Sequence, residues 1–106
     1  MWGSLLSEYE LTILQMNDSH GYMDMHQELF WKSDHAIYRP AGGYARITNI
    51  FNEIKEKNKN NLILDCGDTI HGTYPIVKCK GKDLIPILNN LEFDAMTAHW
   101  EFAYGP

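Results

Sequence analysis

The sequence predicts an α/β fold in which parallel strands alternate with helices in the order β-α-β-α-β. Three short apolar segments have the length of strands and lie at about 11–16, 62–66 and 94–98. Two segments between them, at about 43–57 and 83–91, carry apolar residues at the spacing of a one-sided helix. Because a strand-helix-strand unit almost always forms a right-handed crossover, the strands are expected to be parallel.

Length and charge limit the class of protein. With 106 residues, the chain is expected to form one domain at most. The formal net charge of -5 argues against a nucleic-acid partner, because phosphate backbones are bound by basic surfaces. No apolar segment approaches the roughly 20 residues that cross a bilayer. Residues 1–6 lack the features of a secretory signal, so a cytoplasmic location is the default expectation, and residues 1–9 are expected to be flexible or vector-derived.

The first strand is predicted from an apolar run that ends at Met16 and suits a strand buried on both faces. A long connection follows at 17–41, and we interpret it as a loop whose aromatic and methionine side chains favour packing over disorder. The first helix is predicted from an apolar stripe with charged residues elsewhere; the stripe comprises Ile47, Ile50, Phe51 and Ile54. A turn signal rich in asparagine ends it at 58–61.

The second strand is predicted from the continuous apolar run at 62–66, and a second loop is predicted at 67–81. Asp83 is a candidate N-cap for the second helix. Pro86 then falls in the first turn, where a missing N–H group costs little. The third strand completes the predicted unit.

Residues able to bind metal follow each of the three strands. Asp18 and His20 follow the first strand, Asp68 follows the second, and His99 follows the third. Because the carboxyl ends of parallel strands share one edge, these side chains are expected to converge there. Carboxylate oxygen and imidazole nitrogen suit ions such as Zn, Mn or Fe.

Asp18 and His20 are two residues apart, so in an extended chain they are expected to project to the same side. Asp68 is the candidate to bridge two ions, because a carboxylate has two oxygens. Each motif alone is weak, since an aspartate after a strand is more commonly a turn former. The threefold repetition of strand followed by ligand carries the prediction.

The remaining histidines and cysteines are less specific. His26 and His35 are expected to be ordinary loop histidines. His71 lies three residues past Asp68 and is a candidate to contact substrate. Cys66 and Cys79 allow one disulfide, which leaves the redox compartment open, and Cys66 is expected to be a small buried thiol at a strand end.

Four segments together resemble the 5'-nucleotidase branch of the calcineurin-like metallophosphoesterases: 11–21, 42–46, 64–69 and 93–97. The resemblance implies that the strands form part of a metallophosphoesterase layer. It implies two divalent metal ions, with Mn, Zn or Fe as candidates. In this arrangement Asp18 and His20 hold the first ion, Asp68 bridges both, and His99 holds the second. The implied reaction is hydrolysis of a small phosphate ester, such as a nucleoside monophosphate, by water activated between the two ions.

One block departs from the family pattern. The family usually has Gly-Asn-His-Glu-Phe, whereas this chain has Ala98-His99-Trp100-Glu101-Phe102. His99 then stands in place of the metal-binding asparagine and Trp100 in place of a catalytic histidine. His99 and Glu101 are the candidate catalytic residues that this block retains. The block is more similar to the thiosulfohydrolase of bacterial sulfur oxidation, a dimanganese relative that cleaves a sulfur-linked sulfonate, which gives an alternative function.

Family members continue with further strands and further histidine ligands. The resemblance therefore implies that residues 1–106 are the N-terminal portion of an incomplete metallophosphoesterase domain. A third alternative is a non-catalytic fragment or interaction module. Because two helices cannot cover both faces of a parallel sheet, we expect self-association, or association with the remainder of the domain.

Overall fold

A computed structural model describes residues 8–105. The strands are β1 (Thr12–Met16), β2 (His26–Lys32), β3 (His35–Ala41), β4 (Asn61–Asp65) and β5 (Ala95–Met96). The helices are α1 (Tyr44–Lys57), α2 (Tyr74–Cys79) and α3 (Ile85–Leu91), with 3₁₀ helices at Lys82–Leu84 and Trp100–Tyr104. The expectation for the first nine residues falls almost entirely outside the described part of the chain.

The predicted parallel sheet is confirmed. Its order is β1-β4-β5, and both neighbouring pairs are parallel. The register runs from Thr12 opposite Asn61 to Met16 opposite Asp65, so β1 and β4 end side by side. The third strand is shorter than the predicted 94–98, because only Ala95 and Met96 pair with β4.

One face of the sheet carries the core. Leu14 and Met16 from β1 and Ile63 from β4 pack with apolar residues of all three helices. Phe51 of α1 meets Phe93 edge to face, with ring centroids 6.5 Å apart. The fully buried side chains of this core are Tyr44, Ile63, Ile76, Leu84 and Leu91. The core therefore fixes β4 against the helices and sets where its carboxyl end lies.

The opposite face of the sheet is open. Ile13 of β1 lies opposite Leu62 of β4 on this face. Their exposed fractions are 57% and 38%. Within residues 8–105, the helices therefore leave this apolar face of the sheet uncovered, as expected.

The prediction of a loop at 17–41 is wrong in part, because this connection contains the antiparallel hairpin β2–β3. Its register runs from His26 opposite Ala41 to Lys32 opposite His35. The strands are almost wholly exposed, so they lack the alternation that a buried face imposes. The turn residues Ser33 and Asp34 also lack the Asn-Gly or Asp-Gly signature of tight hairpins.

Two further predictions need correction. The segment at 67–81 contains the short helix α2, which the sequence interpretation treated as loop. Asp83 does not cap α3; it lies inside the preceding 3₁₀ helix, and Leu84 occupies the N-cap position without a side-chain hydrogen bond. Pro86 does lie in the first turn, as predicted.

The thiols also differ from expectation. Cys66 is exposed rather than buried, because it continues the alternation of β4 and follows the buried Asp65 on the opposite side of the strand. Cys66 and Cys79 are both free, so the possible disulfide is not formed. No helix within residues 8–105 is long and apolar enough to cross a membrane.

Candidate metal centre

The carboxyl edge of the sheet brings together residues from two strand ends. Asp18 and His20 follow β1, and Asp68 follows β4. Each offers one ligand atom, and these atoms all lie within 4.8 Å of one another. His20 Nε2 is 3.8 Å from Asp18 Oδ1 and 3.2 Å from Asp68 Oδ2. One imidazole therefore faces two carboxylates, which is a donor set suited to a divalent cation.

Asp68 is the buried member of this cluster. Its residue surface is only 5% exposed, and its Oδ1 atom has no hydrogen-bond donor within the described residues. A buried carboxylate oxygen without a donor is costly unless a cation compensates its charge. The residues present thus fit a metal ion at this position.

Left-handed backbone turns bring the ligands together, which corrects the expectation that an extended chain would do so. The φ angles of Asp18, His20 and Asp68 are 51°, 50° and 55°. Such angles are uncommon outside glycine and cost energy, so the surrounding structure must impose them. Two hydrogen bonds do so: the Asp18 N–H group donates to the Gly67 carbonyl at 3.0 Å, and the His20 N–H group donates to the Asp68 carbonyl at 3.1 Å.

Residues 66–70, which we name the Asp68 loop, pack tightly against the segment that follows β5. At Gly67, with φ 89°, an added Cβ atom would lie 2.9 Å from the Thr97 carbonyl oxygen and 3.0 Å from the His99 nitrogen. Only glycine fits this approach. The contact sets the distance between the Asp68 loop and His99.

Asp65 supports the same loop from inside. Its carboxylate accepts hydrogen bonds from the Gly67 N–H group at 2.9 Å and the Thr69 hydroxyl at 2.7 Å. Burial raises the pKa of Asp65, the bonds from Thr69 and Gly67 oppose this, and the charges of Glu101 and Asp18 raise it further. Nothing in the sequence distinguishes Asp65, because it lies within the predicted strand 62–66 and belongs to none of the motifs that follow the strands.

His99 and His71 lie at the border of the cluster. His99 Nδ1 is 3.5 Å from Asp68 Oδ2, and His71 Nδ1 is 4.0 Å from Asp68 Oδ1. Neither belongs to the group of three convergent ligands. The other two histidines lie on the hairpin, where His26 contacts Glu28 at 2.7 Å and His35 contacts Asp34 at 3.0 Å.

Glu101 contacts the centre through backbone groups. Burial raises the pKa of its carboxyl, but hydrogen bonds from the backbone N–H groups of His99, Thr69 and Ile70 outweigh this and lower the pKa to about 2. The carboxylate is therefore ionised across the neutral range. Nothing in the sequence indicated which groups it would contact.

A cavity of about 420 Å³ opens beside Asp18 and His20 and is lined also by Ser19, Tyr22 and Tyr44. The Ser19 and Tyr44 hydroxyls, both from residues that line this cavity, lie 2.7 Å apart. A larger cavity of about 560 Å³ lies at α1 and Ile87 and contains none of the candidate ligands. The smaller cavity is the one placed to admit a substrate to the cluster.

Comparison of the sequence with known proteins identifies its family. The family profile of calcineurin-like phosphoesterases matches residues 11–104. The chain is 36% identical to 5'-nucleotidase of Homo sapiens over 98 residues, which cover 92% of this chain and 17% of that protein. It is 30% identical to NAD 5'-nucleotidase of Haemophilus influenzae over 96 residues, covering 81% and 16% of the two chains.

Solved structures show the same likeness. The structure of Haemophilus influenzae NAD nucleotidase matches with a TM-score of 0.73 and 28% identity, covering 83% of this chain and 16% of that chain. The 5'-nucleotidase precursor of Thermus thermophilus matches with a TM-score of 0.68 and 28% identity, covering 83% and 17%. The chain thus spans about a sixth of the length of the relatives that it matches.

Proposed function

The chain belongs to the calcineurin-like phosphoesterase family, and we propose that it is part of a divalent-metal-dependent hydrolase of the 5'-nucleotidase type. The observation that carries the proposal is the buried Asp68 carboxylate, which has an unpartnered oxygen and faces His20. The proposed substrate is a small phosphate ester such as a nucleoside monophosphate. Residues 1–106 are proposed to be the N-terminal part of the catalytic domain, since the relatives are about six times as long.

In this proposal Asp18, His20 and Asp68 would hold one ion, and Asp68 together with His99 would hold the second. Bound divalent ions would supply the Lewis acidity that polarises the phosphate and activates the attacking water. Asp68 provides a carboxyl side chain that is shielded from solvent. His71, whose Nδ1 atom lies 4.0 Å from Asp68 Oδ1, is the candidate to contact the substrate.

Trp100 supports a second candidate function. Its ring is 5.9 Å from the His99 ring in an edge-to-face arrangement and 6.1 Å from the His71 ring. An indole ring cannot transfer a proton to a leaving group as an imidazole can. A leaving group that needs no protonation, such as the thiolate released from a sulfur-linked sulfonate, would tolerate tryptophan at this position.

Metal binding is the primary test. We expect isothermal titration with Mn²⁺ to show binding to the wild type and at least tenfold weaker binding to Asp68→Asn, because the substitution removes a buried anionic ligand. Asp83→Asn removes the same charge at an exposed position and is the matched control. An unaltered affinity in Asp68→Asn, or no binding by the wild type, would contradict the proposal.

Hydrolysis distinguishes the candidate functions. Adenosine monophosphate and an organic S-sulfonate are incubated with the Mn²⁺-loaded protein, and released phosphate or sulfate is measured. We expect only weak turnover from residues 1–106, and Asp68→Asn should abolish whatever is present. Metal binding without hydrolysis of either substrate would favour the non-catalytic alternative for this chain.

A further inference from the structure

We infer that Glu101 is a positioning residue of the proposed metal centre, and that it aligns Asp68 and His99 through backbone hydrogen bonds. The inference rests on the proposed function, since it requires that these side chains hold metal. It replaces the catalytic role that the sequence analysis gave to Glu101. The side chain acts on the two loops that carry the candidate ligands, and it does so through their amides.

The Glu101 carboxylate accepts four hydrogen bonds from backbone N–H groups. Oε1 accepts from Thr69 at 2.5 Å and from Ile70 at 3.2 Å. Oε2 accepts from Asp68 at 3.2 Å and from His99 at 2.6 Å. One side chain therefore joins three consecutive amides of the Asp68 loop to the amide of His99.

This arrangement requires a carboxylate. Both oxygens of an ionised carboxylate are acceptors only, so all four N–H groups find partners. A carboxamide would turn one NH₂ group toward two of these donors and leave them unpaired. The need for four acceptor positions explains why Glu101 is anionic although its carboxylate contacts backbone amides rather than the cavity.

The backbone that Glu101 holds is strained at Asp68. This residue adopts a left-handed φ of 55°. Strained conformations persist only where the surroundings over-determine them. The four bonds add to the backbone bonds from Asp18 and His20 in holding this conformation, and they join it to His99, whose Nδ1 atom lies 3.5 Å from Asp68 Oδ2.

A simpler role is that Glu101 only attaches the 3₁₀ helix Trp100–Tyr104 to the rest of the protein. Tyr104 supplies a second attachment between the same segments, because its hydroxyl donates to the Ile70 carbonyl at 3.2 Å. Tyr104→Phe removes that attachment and leaves the four amide bonds in place. It is therefore the matched control for attachment alone.

A second simpler role is that the negative charge of Glu101 attracts a cation without positioning anything. Glu101→Asp separates these explanations. The variant keeps the charge, but its side chain is one methylene shorter and cannot reach both the Asp68 loop and His99. Glu101→Gln keeps the length and removes the charge.

The experiment compares Mn²⁺ affinity by isothermal titration in the wild type, Glu101→Asp, Glu101→Gln and Tyr104→Phe. We expect affinity to fall at least tenfold in both Glu101 variants and to stay within about twofold in Tyr104→Phe. Full affinity in Glu101→Asp would overturn the positioning role in favour of charge alone. An equal loss in Tyr104→Phe would overturn it in favour of attachment alone.

Amide hydrogen exchange in metal-free protein tests the bonds themselves and keeps the inference testable if one variant folds poorly. Exchange at Asp68, Thr69, Ile70 and His99 should accelerate at least tenfold in Glu101→Asp, while exchange in β4 stays unchanged. Unaltered exchange at these amides would overturn the inference even if metal affinity fell. If the wild type binds no Mn²⁺, the proposed function itself fails, whereas wild-type binding that Glu101→Asp retains defeats this inference alone.

Discussion

Two carboxylates near the metal centre have opposite electrostatic environments, although both stabilise the Asp68 loop. Burial raises the pKa of Asp65, and its two hydrogen bonds only partly compensate. Burial also acts on Glu101, but several backbone donors outweigh it and lower the pKa to about 2. Asp65 has two hydrogen-bond donors and two neighbouring carboxylates that raise its pKa, whereas Glu101 has several backbone donors that lower its pKa.

The low pKa of Glu101 predicts a pH-dependent contribution to stability. The pKa is 4.5 ordinarily and about 2 in the folded state, so folding favours the ionised form. The stabilisation is complete above pH 4.5 and is lost as the pH falls toward about 2. We expect Glu101→Gln to lower the free energy of unfolding by the order of 2 kcal/mol at neutral pH, the scale for hydrogen bonds to a charged group.

Urea denaturation from pH 7 to pH 2 measures this difference between wild type and variant. The difference should shrink as the pH falls through the window between 4.5 and about 2. A difference that is constant with pH would show that the variant acts through packing rather than through the carboxylate charge.

At this scale the sequence predicts candidate ligands that the structure brings together, but not what holds them. Asp18, His20 and Asp68 were predicted from their positions after strands, because parallel strands share one carboxyl edge. The left-handed turns were not predicted, since neither aspartate nor histidine requires them. The role of Glu101 could not be predicted either, because its partners are backbone amides, which every sequence contains.

The hairpin β2–β3 contributes little to the apolar core. Its strands are largely exposed, and Trp31 and Tyr38 are 73% and 67% exposed. Its base is attached near α1, where the Tyr44 N–H group donates to the Met23 carbonyl at 3.0 Å. The hairpin therefore depends mainly on its own pairing and on its turn.

The turn of this hairpin predicts a stabilising substitution. Ser33 has a φ of 58°, a conformation that glycine adopts without the steric cost of a Cβ atom. We expect Ser33→Gly to stabilise the hairpin by about 1 kcal/mol. Slower amide exchange in β2 and β3 would report the effect.

Asp34→Gly is the matched control, because Asp34 is the other residue of the same turn and has no left-handed φ. Glycine there gains nothing sterically and adds freedom to the unfolded chain, so we expect slight destabilisation. Equal effects of the two substitutions would contradict the explanation.

The elements were predicted best where burial imposes a pattern. Helix α1 has its apolar stripe, and Phe51 within that stripe lies in the core. Strand β4 follows as a continuous apolar run with Ile63 fully buried. The hairpin has no buried face, and Pro40 within β3 argued against a strand, although proline is tolerated in a strand that pairs on one side only.

At the scale of the molecule, the open face of the parallel sheet is an apolar surface that no helix covers within residues 8–105. Ile13 and Leu62 lie side by side on it and are exposed. Contiguous apolar surface favours association, because covering it removes water from apolar side chains. In a solution of the purified protein, a second copy of the chain is the partner available to cover this face.

We therefore expect concentration-dependent self-association that depends on this face. Ile13→Glu should raise the dimer dissociation constant at least tenfold in light-scattering measurements, because a buried unpaired charge is costly. Ile50→Glu is the control, since Ile50 is 51% exposed on helix α1 rather than on the sheet. A wild type that stays monomeric at all concentrations would contradict the prediction.

The parallel pairing of β1 with β4 has a consequence for the order in which the protein assembles. Asp18 emerges from the ribosome before Asp68, and Glu101 emerges after both. Pairing between strands so distant in the chain is slow compared with local helix formation. The ligands therefore converge only at the end of folding, so a captured cation would prolong the lifetime of the finished fold without hastening its formation.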